Sequence, residues 1–144
     1  MLTLAILKPD ALESALGGKI IALLEATGFR IKAARLLRLS DSEARAFYAV
    51  HRERPFFQSL VAYMTSGPCM PLVLERDDAV AHLREVIGAT DPAEAKEGTV
   101  RRLYAESKER NAIHASDSPE NAVNEVAFFF PRAELSRIWA TEVR

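Results

Sequence analysis

The sequence contains little cysteine and little net charge, and each shortage excludes a class of protein. Its one cysteine, Cys69, cannot form an internal disulfide, so a disulfide scaffold is excluded and a reducing compartment is favoured. The 144 residues carry 19 Lys and Arg against 20 Asp and Glu, a net charge of -1. A nearly neutral chain gains little from bulk attraction to nucleic acid or acidic lipid. We therefore expect no dedicated nucleic-acid surface, and any bound anion must be held by a local cluster of cations.

Long apolar segments are missing as well. No apolar run approaches the roughly 20 residues that span a bilayer. The N-terminal Met1-Leu2-Thr3-Leu4 lacks the basic residues with which a signal peptide begins. These two absences predict a cytoplasmic protein without a membrane partner.

Several short motifs of phosphate, metal and hydrolase sites are also absent. There is no G-x-x-x-x-G-K-[ST] and no G-x-G-x-x-G, so no glycine-rich loop is available to cradle phosphates. No two histidines have metal-ligand spacing, one cysteine cannot build a zinc site, and there is no G-x-S-x-G. His51, in a charged run, and His82, in the middle of a helix, are expected to be structural or solvent-facing.

What the chain does contain is the composition of a globular domain. Hydrophobic residues make up 49% and charged residues 27%, which is an ordinary mixture. Because a domain usually spans roughly 100–200 residues, we expect one domain over residues 1–144 with a real core.

The spacing of apolar residues predicts four strands. A nearly continuous apolar run at 2–7 is typical of a strand buried on both faces. The other strands are expected at 29–39, with a bulge at Arg35, at 70–75 and at 126–130.

Capping residues predict the helices between these strands. Between 89 and 113 the periodicity is weak, and a loop of that length is usually functional or mobile. The order predicts an α+β fold, a ferredoxin-like four-stranded antiparallel sheet covered by helices on one face. The first helix is expected to end at Gly28, and the next to begin with a capping box at Ser40 to Glu43. Further helices are expected to begin after Pro55, at 77 and at Ser118, and the helix from 77 to end at Gly88. A closing helix is expected from Pro131.

The segment 111–120 holds the best candidate for chemistry. His114 has small neighbours, so its ring is open to approach. A neutral imidazole has one free lone pair and serves as base, metal ligand or nucleophile. A carboxylate on the opposite nitrogen would raise its nucleophilicity, and Asp117, Glu120 and Glu125 are the candidates. A lone histidine is more often a loop residue beside a helix cap, and this alternative stays open.

Three cations on separate elements form a second candidate feature. Lys8 ends a buried strand, Arg84 lies on the helix after the third strand, and Arg101 lies in the long loop. Side-chain forks from these residues can converge on a polyphosphate, although scattered surface charge is the alternative. Of Phe56 and Phe57, one must point away from the other on a helix, and an exposed ring can stack on a base.

The residues NAIHASDS, 111–118, resemble the N-x-x-H-G-S-D-S signature of nucleoside diphosphate kinases. The resemblance covers essentially the whole chain, because further stretches match in the same order as in the family. Several motifs that match in order are much more specific than a single short motif. The other similar stretches, in family order and at compatible spacing, are TLAILKPDA (3–11), FYAVHRERPFF (47–57), MTSGP (64–68), GATDPAEAKEGTVR (88–101) and SPENAVNE (118–125).

The resemblance implies a role for each matching residue. His114 is the implied nucleophile, and Glu125, assisted by Ser116, holds the opposite ring nitrogen. Mg²⁺ is implied to enter with the nucleotide rather than through a protein cage, with Asp117 in a supporting role beside it. The implied nucleotide-binding residues are Lys8, Tyr48, Arg84, Thr90 and Arg101 around the phosphates, Asn111 and Lys8 at the ribose, and Phe56 on the base.

The resemblance also implies an activity and an assembly. The implied reaction moves the γ-phosphate of ATP or another nucleoside triphosphate to a nucleoside diphosphate by a ping-pong mechanism through phosphohistidine, which maintains nucleotide pools. Members of this family are homo-oligomers, tetramers or hexamers built on a dimer, and residues 139–144 are a candidate interface. The alternative is a catalytically idle ferredoxin-like module that binds nucleotide or a protein partner.

The chain departs from the family pattern in three places. Ala115 replaces the glycine that usually follows the histidine, Arg102-Leu103 stand where glycine or alanine followed by aspartate is common, and Lys108 replaces an aliphatic residue near the base. None of these residues is implied to take part in chemistry. We therefore expect the enzyme rather than the idle module.

Overall fold

The computed structural model describes the backbone of residues 1–142 and the side chains of residues 1–137. Its strands are β1 (Leu2–Leu7), β2 (Arg30–Ala34), β3 (Met70–Glu75) and β4 (Ile113–Ala115). Its helices are α1 (Pro9–Glu13), α2 (Gly17–Ala26), α3 (Asp41–Phe47), α4 (Phe57–Met64), α5 (Ala79–Ile87), α6 (Val100–Tyr104), α7 (Pro119–Phe129) and α8 (Arg132–Glu142), with a 3-10 turn at Ala49–His51.

The four strands form one antiparallel sheet, as the sequence predicted, and the structure gives their order as β2-β3-β1-β4. In the centre, Leu4 of β1 pairs with Val73 of β3, and Ile6 pairs with His114 of β4. Lys8, directly after β1, donates its backbone N–H to the Ala112 carbonyl at 2.9 Å. The sheet order therefore brings the end of β1 beside the start of β4.

Helices cover both faces of this sheet, not one face as the sequence analysis expected. Leu4 and Ile6 point into a core closed by α3, α4, α7 and α8. Ala5 and Leu7 point into a second core closed by α1, α2, α5 and α6. Because β1 is apolar on both sides, each side must be covered, and each fully buried Leu or Ile contributes roughly 1.5–3 kcal/mol.

The fourth strand is β4, and the prediction of a strand at 126–130 was wrong. Helix α7 continues through that segment to Phe129. Ala122, Val126 and Phe129 recur at helical spacing, and all three are buried, with Val126 and Phe129 in the first core. Burial of this stripe favours the helix over the local strand preference of three consecutive phenylalanines.

The segment 89–113 is less irregular than predicted, because it contains α6 and the start of β4. The Thr99 hydroxyl accepts the Arg102 N–H at 3.3 Å and caps α6. Arg101 therefore lies on a short helix and not in a loop. A helix of five residues is too short to leave a clear periodic signal in the sequence.

Strand β2 is shorter than predicted, and its bulge is at a different residue. The register with β3 shifts between Ile31 and Ala33, so the bulged residue is Lys32 rather than Arg35. The Lys32 ammonium lies 3.6 Å from the Glu75 carboxylate. Arg35 instead reaches across to α7 and donates to the Phe129 carbonyl at 3.0 Å.

The closing helix begins at Arg132, one residue after the predicted start, and Leu135 packs into the first core. The proposed interface at 139–144 lies outside the residues whose side chains are described. Over the described chain, none of the helices combines the length and the apolar character that crossing a membrane requires.

Candidate active site

His114 on β4 and Glu125 on α7 meet through their side chains. His114 Nε2 and Glu125 Oε1 are 2.7 Å apart, and the Ser116 hydroxyl donates to the same oxygen at 2.8 Å. The two side chains of the pair are 18% and 20% exposed. A carboxylate that accepts from one ring nitrogen fixes the tautomer and leaves the lone pair on the other. The geometry therefore assigns the proton to Nε2 and the lone pair to Nδ1.

The two other candidate carboxylates have different surroundings. Asp117 is exposed, and its Oδ1 accepts from the side-chain amide of Asn121 at 2.5 Å. Glu120 is exposed in the first turn of α7, where a negative charge is favourable beside the helix N-terminus. Of the three carboxylates considered from the sequence, the structure brings Glu125 to the ring.

Helix α7 delivers Glu125 because local sequence fixes where the helix starts. The Ser118 hydroxyl accepts the Asn121 N–H at 3.1 Å, and Pro119 occupies the first helical position, as predicted. Glu125 follows the buried Ala122 by three residues and so lies on the face turned toward the sheet. The cap and the buried stripe together set the height and the rotation of the carboxylate.

Two aromatic rings pack against the imidazole. The centroids of Phe47 and Tyr48 lie 5.3 Å and 5.9 Å from the His114 centroid, both edge to face. The Tyr48 side chain is buried, and its hydroxyl has no hydrogen-bond partner among the described residues. Burial raises the pKa of Tyr48 well above its ordinary value. The phenol therefore stays neutral and keeps a hydrogen-bond donor available beside the histidine.

Lys8 and Asn111 form a buried pair at the edge of the sheet. Lys8 is 6% exposed, and its ammonium donates to Asn111 Oδ1 at 2.8 Å. Burial, followed by the positive charge of Arg101, lowers the pKa of Lys8 to about 8, while Asp10 and Glu109 oppose the shift. An ammonium this poorly solvated gains strongly from an anionic ligand.

Arg101 is a second buried cation with unused hydrogen-bonding capacity. Its guanidinium donates to the Gly88 carbonyl at 3.1 Å and to the Ile113 carbonyl at 2.8 Å. Nε has no partner within the described part of the chain. Burial, then the nearby charge of Arg84, lowers the pKa of Arg101 to about 10, so it stays charged at neutral pH.

Arg84 and Thr90 lie at the surface beside these buried cations. Arg84 is exposed on α5, near enough to Arg101 to affect its pKa. Thr90 is exposed, and its carbonyl lies 3.4 Å from the donating amide of Asn111. The three cations predicted to converge thus lie on three elements around one end of the sheet.

Phe56 is the exposed member of its pair, of which the sequence predicted only that one ring would point away from the other. It is 47% exposed, whereas Phe57 is 5% exposed. His51 was expected at a solvated helix end, but its half-buried ring lies 5.4 Å from the Phe56 centroid and 6.5 Å from that of Tyr48. The aromatic wall beside His114 thus extends through His51 to Phe56.

Sequence reasoning missed one buried acid near the site. Asp10 is 3% exposed, and its Oδ2 accepts the Ala112 N–H at 3.1 Å. Tyr63 donates its hydroxyl to the other oxygen. The available signal was an acid two residues after the strand-ending Lys8, in otherwise apolar surroundings.

The described side chains do not form a metal cage. In the part of the chain that the structure describes, no group of three or more His, Cys, Asp or Glu side chains is arranged to hold an ion. The hydrogen-bond donors are instead the Tyr48 phenol beside His114 and the cations Lys8 and Arg101, which bond Asn111 and the Ile113 carbonyl in the segment before it. This donor set suits a ligand that carries several negative oxygens.

Comparison with known proteins identifies the family. The family model described as nucleoside diphosphate kinase matches residues 2–135. The chain is 55% identical over 136 residues to a nucleoside diphosphate kinase of Chlorobaculum tepidum, covering 94% of this chain and 97% of that relative. It is 55% identical over 133 residues to the enzyme of that name from Campylobacter curvus, covering 92% and 97%.

Two solved structures share the fold at high similarity. The nucleoside diphosphate kinase of Aquifex aeolicus superposes with a TM-score of 0.90 at 48% identity, covering 92% of this chain and 96% of that one. The enzyme of Halobacterium salinarum, solved in complex with CDP, superposes with a TM-score of 0.89 at 35% identity, covering 93% and 90%. Since the family model and these relatives extend along nearly the whole sequence, this chain belongs to the nucleoside diphosphate kinase family of enzymes.

Proposed function

We propose that the chain transfers the γ-phosphate of a nucleoside triphosphate to a nucleoside diphosphate by a ping-pong mechanism, with His114 as the nucleophile. In the first half-reaction, His114 Nδ1 attacks the γ-phosphorus, the bond to the bridging oxygen breaks, and the nucleoside diphosphate leaves. In the second, a terminal oxygen of another diphosphate attacks the phosphorus of the phosphohistidine, the bond between phosphorus and Nδ1 breaks, and the free imidazole of His114 is regenerated. One pocket serves both substrates, because donor and acceptor differ only by the transferred group.

Glu125 prepares the imidazole for both half-reactions. By accepting from Nε2, the carboxylate keeps the lone pair on Nδ1 and stabilises the positive charge that the ring gains on phosphorylation. Ser116 holds the same carboxylate oxygen and limits its motion. The hydrogen-bonded chain from Ser116 through Glu125 to His114 is the single observation that carries the proposal.

The cations and the phenol neutralise the phosphate oxygens. We assign this role to Lys8, Arg84 and Arg101, with Thr90 and the Tyr48 hydroxyl as further donors. Magnesium ions would contribute additional positive charge on the phosphates. We propose from the family resemblance that this ion is carried by the nucleotide, with the exposed Asp117 in a supporting role beside it.

Base and ribose are held by contacts that do not read the base edge. We propose that the exposed Phe56 ring stacks on the base, while Asn111 and Lys8 bond the ribose hydroxyls. The methylene stem of Lys108 can cover the second face of the base. Since every base can stack on an aromatic ring, we expect weak discrimination among nucleotides. One nucleotide, CDP, is bound in the structure of the Halobacterium salinarum relative.

The departures from the family pattern leave this arrangement intact. Ala115 lies in the extended strand β4 and has no positive φ, so a glycine is not required there. Arg102 is exposed, and it donates to the Ala93 carbonyl at 3.2 Å. We further propose from the family resemblance a cytoplasmic homo-oligomer, tetramer or hexamer, that maintains nucleotide pools.

Labelling without an acceptor tests the proposal directly. Incubation with γ-labelled ATP and Mg²⁺ should leave phosphate on the chain that is lost in acid and stable in base, as expected for phosphohistidine. A chase with GDP, CDP or UDP should move the label to each triphosphate. Acid-stable label would point instead to a hydroxyl, of which Ser116 is the nearest, and would exclude the proposed intermediate.

The charge of Lys8 should give transfer an alkaline limit. The ammonium is present below its pKa of about 8 and is lost as the pH rises through it, so kcat/KM should fall above about pH 8. In the matched variant Lys8→Arg the charge persists, and the limit should move to higher pH even if the maximum rate is lower. An unchanged alkaline limit in this variant would assign the titration to another group.

A further inference from the structure

Asp10 is a buried carboxylate for which the proposed mechanism has no use. It lies on α1, two residues after Lys8, and is 3% exposed. Its backbone N–H donates to the Tyr63 oxygen at 3.0 Å, and the Tyr63 hydroxyl donates to Oδ1. A buried charge is costly unless it is paired or hydrogen-bonded. A carboxylate kept in this place therefore needs these hydrogen bonds, and its role is to be sought in the groups that it bonds.

The remaining oxygen of Asp10 holds an unusual turn. Oδ2 accepts the Ala112 N–H at 3.1 Å, and Ala112 has a φ of +73°. Such a left-handed φ is rare in an L-alanine and needs enforcement by its surroundings. The Ile113 N–H also donates to the Asn111 carbonyl at 2.9 Å, which closes a γ-turn around Ala112, a rare and strained turn that needs contacts from outside to persist. The Ala112 carbonyl accepts the Lys8 N–H at 2.9 Å, so the residue is held on both sides by the segment that follows β1.

The turn at Ala112 separates two groups of the site. Asn111, directly before it, accepts from the Lys8 ammonium, and His114 follows it by two residues on β4. A change of φ at Ala112 redirects the chain on both sides. The Asn111 amide would then leave Lys8, and the His114 ring would leave the line set by Glu125.

We propose that Asp10 is a positioning residue for phosphoryl transfer, which holds the left-handed turn at Ala112 and thereby places Asn111 and His114. Tyr63 acts behind it by fixing the carboxylate. The inference rests on the proposed function for its kinetic consequence, but its structural content is independent of activity. No contact between Asp10 and the nucleotide is required.

The central test is the pair Asp10→Ala and Asp10→Ala/Ala112→Gly. In Asp10→Ala the turn loses its acceptor, and the single-turnover rate of phosphate transfer from ATP to His114 should fall by about 10- to 100-fold, as expected for misplacement on the scale of 1 Å. Glycine adopts positive φ without enforcement, so Ala112→Gly in the same background should restore at least half of the loss on a logarithmic scale. A general loss of packing would not be repaired by removing a further methyl group.

Tyr63→Phe provides a milder variant, which keeps the test decisive if Asp10→Ala does not fold. It removes one hydroxyl and retains the ring, which faces the Arg110 guanidinium at 5.3 Å. The rate should fall below that of wild type, though by less than in Asp10→Ala, and a wild-type rate in Tyr63→Phe would by itself contradict the role of the Tyr63–Asp10 contact. In the double variant Asp10→Ala/Tyr63→Phe the two losses should not add, because both act through one carboxylate.

Crystal structures of wild type and Asp10→Ala separate this inference from the proposed function. We expect Ala112 to leave positive φ and Asn111 to separate from Lys8 in the variant. The inference is overturned if the turn is unchanged, if Asp10→Ala labels at the wild-type rate, or if Ala112→Gly gives no recovery. If wild type forms no phosphohistidine, the proposed function fails, and the altered turn alone decides the role of Asp10.

Discussion

Replacing His114 by alanine is expected to lower transfer by about 10⁴-fold or more, because the residue that forms the covalent intermediate is lost. Of the two groups that bond the Glu125 carboxylate, the neutral imidazole of His114 is a better nucleophile than the Ser116 hydroxyl, and neither Phe47 nor Tyr48 beside it is a nucleophile at neutral pH. The folded state should change little. The ring is not in the apolar core, and Glu125 keeps the Ser116 hydroxyl as a partner.

The measurement combines steady-state transfer from ATP to GDP with acceptor-free labelling and a thermal melt. His82→Ala is the matched control, because this histidine lies on α5 with its Nδ1 2.6 Å from the Asp77 carbonyl, apart from the proposed site. The control should transfer and label like wild type. Turnover of His114→Ala near the wild-type rate, or label retained on it, would contradict the assignment of the nucleophile.

Replacing Arg101 by alanine is expected to lower kcat/KM by about 10²- to 10³-fold, the usual cost of one donor to a developing charge. Two effects combine here. A cation is lost from the phosphate side, and the carbonyls of Gly88 and Ile113 lose the guanidinium that joins them. Because these groups are buried, the melting temperature should fall as well.

Two further variants distinguish the contribution of positive charge at Arg101 from that of its hydrogen-bonding geometry. Arg101→Lys retains a cation but cannot bridge both carbonyls and a phosphate, so its kcat/KM should lie between wild type and alanine. Arg102→Ala removes the exposed neighbouring cation, which bonds the Ala93 carbonyl, and should stay within a few-fold of wild type. Equal losses of kcat/KM in Arg101→Ala and Arg102→Ala would show that positive charge in this region, and not the buried guanidinium of Arg101, is needed.

The sequence predicted the elements whose signals are local. The apolar run of β1, the capping box before α3 and the Ser118 cap of α7 all appear where expected. So does the division of Phe56 and Phe57 into an exposed and a buried ring. In each case a few adjacent residues set both the backbone geometry and the direction of the side chain.

The errors arose where contacts distant in sequence override local preference. Three phenylalanines at 128–130 favoured a strand, but the buried stripe of α7 keeps the segment helical through Phe129. The short α6 and β4 left weak signals, so Arg101 was placed in a loop. The two-sided burial of β1 was correctly predicted. It requires helices on both faces of the sheet, whereas helices were expected on one face.

By itself, the sequence determined the family resemblance and the sheet type, and it pointed to His114 as the candidate nucleophile, because side-chain identity and local spacing are enough for these. Only the tertiary structure decided which of three carboxylates reaches His114, why Ala112 holds a left-handed turn, and how far burial lowers the pKa of Lys8. The reason is that distance, desolvation and backbone strain depend on groups brought together from opposite ends of the chain. Asp10 and Ala112 are 102 residues apart, yet one hydrogen bond joins them.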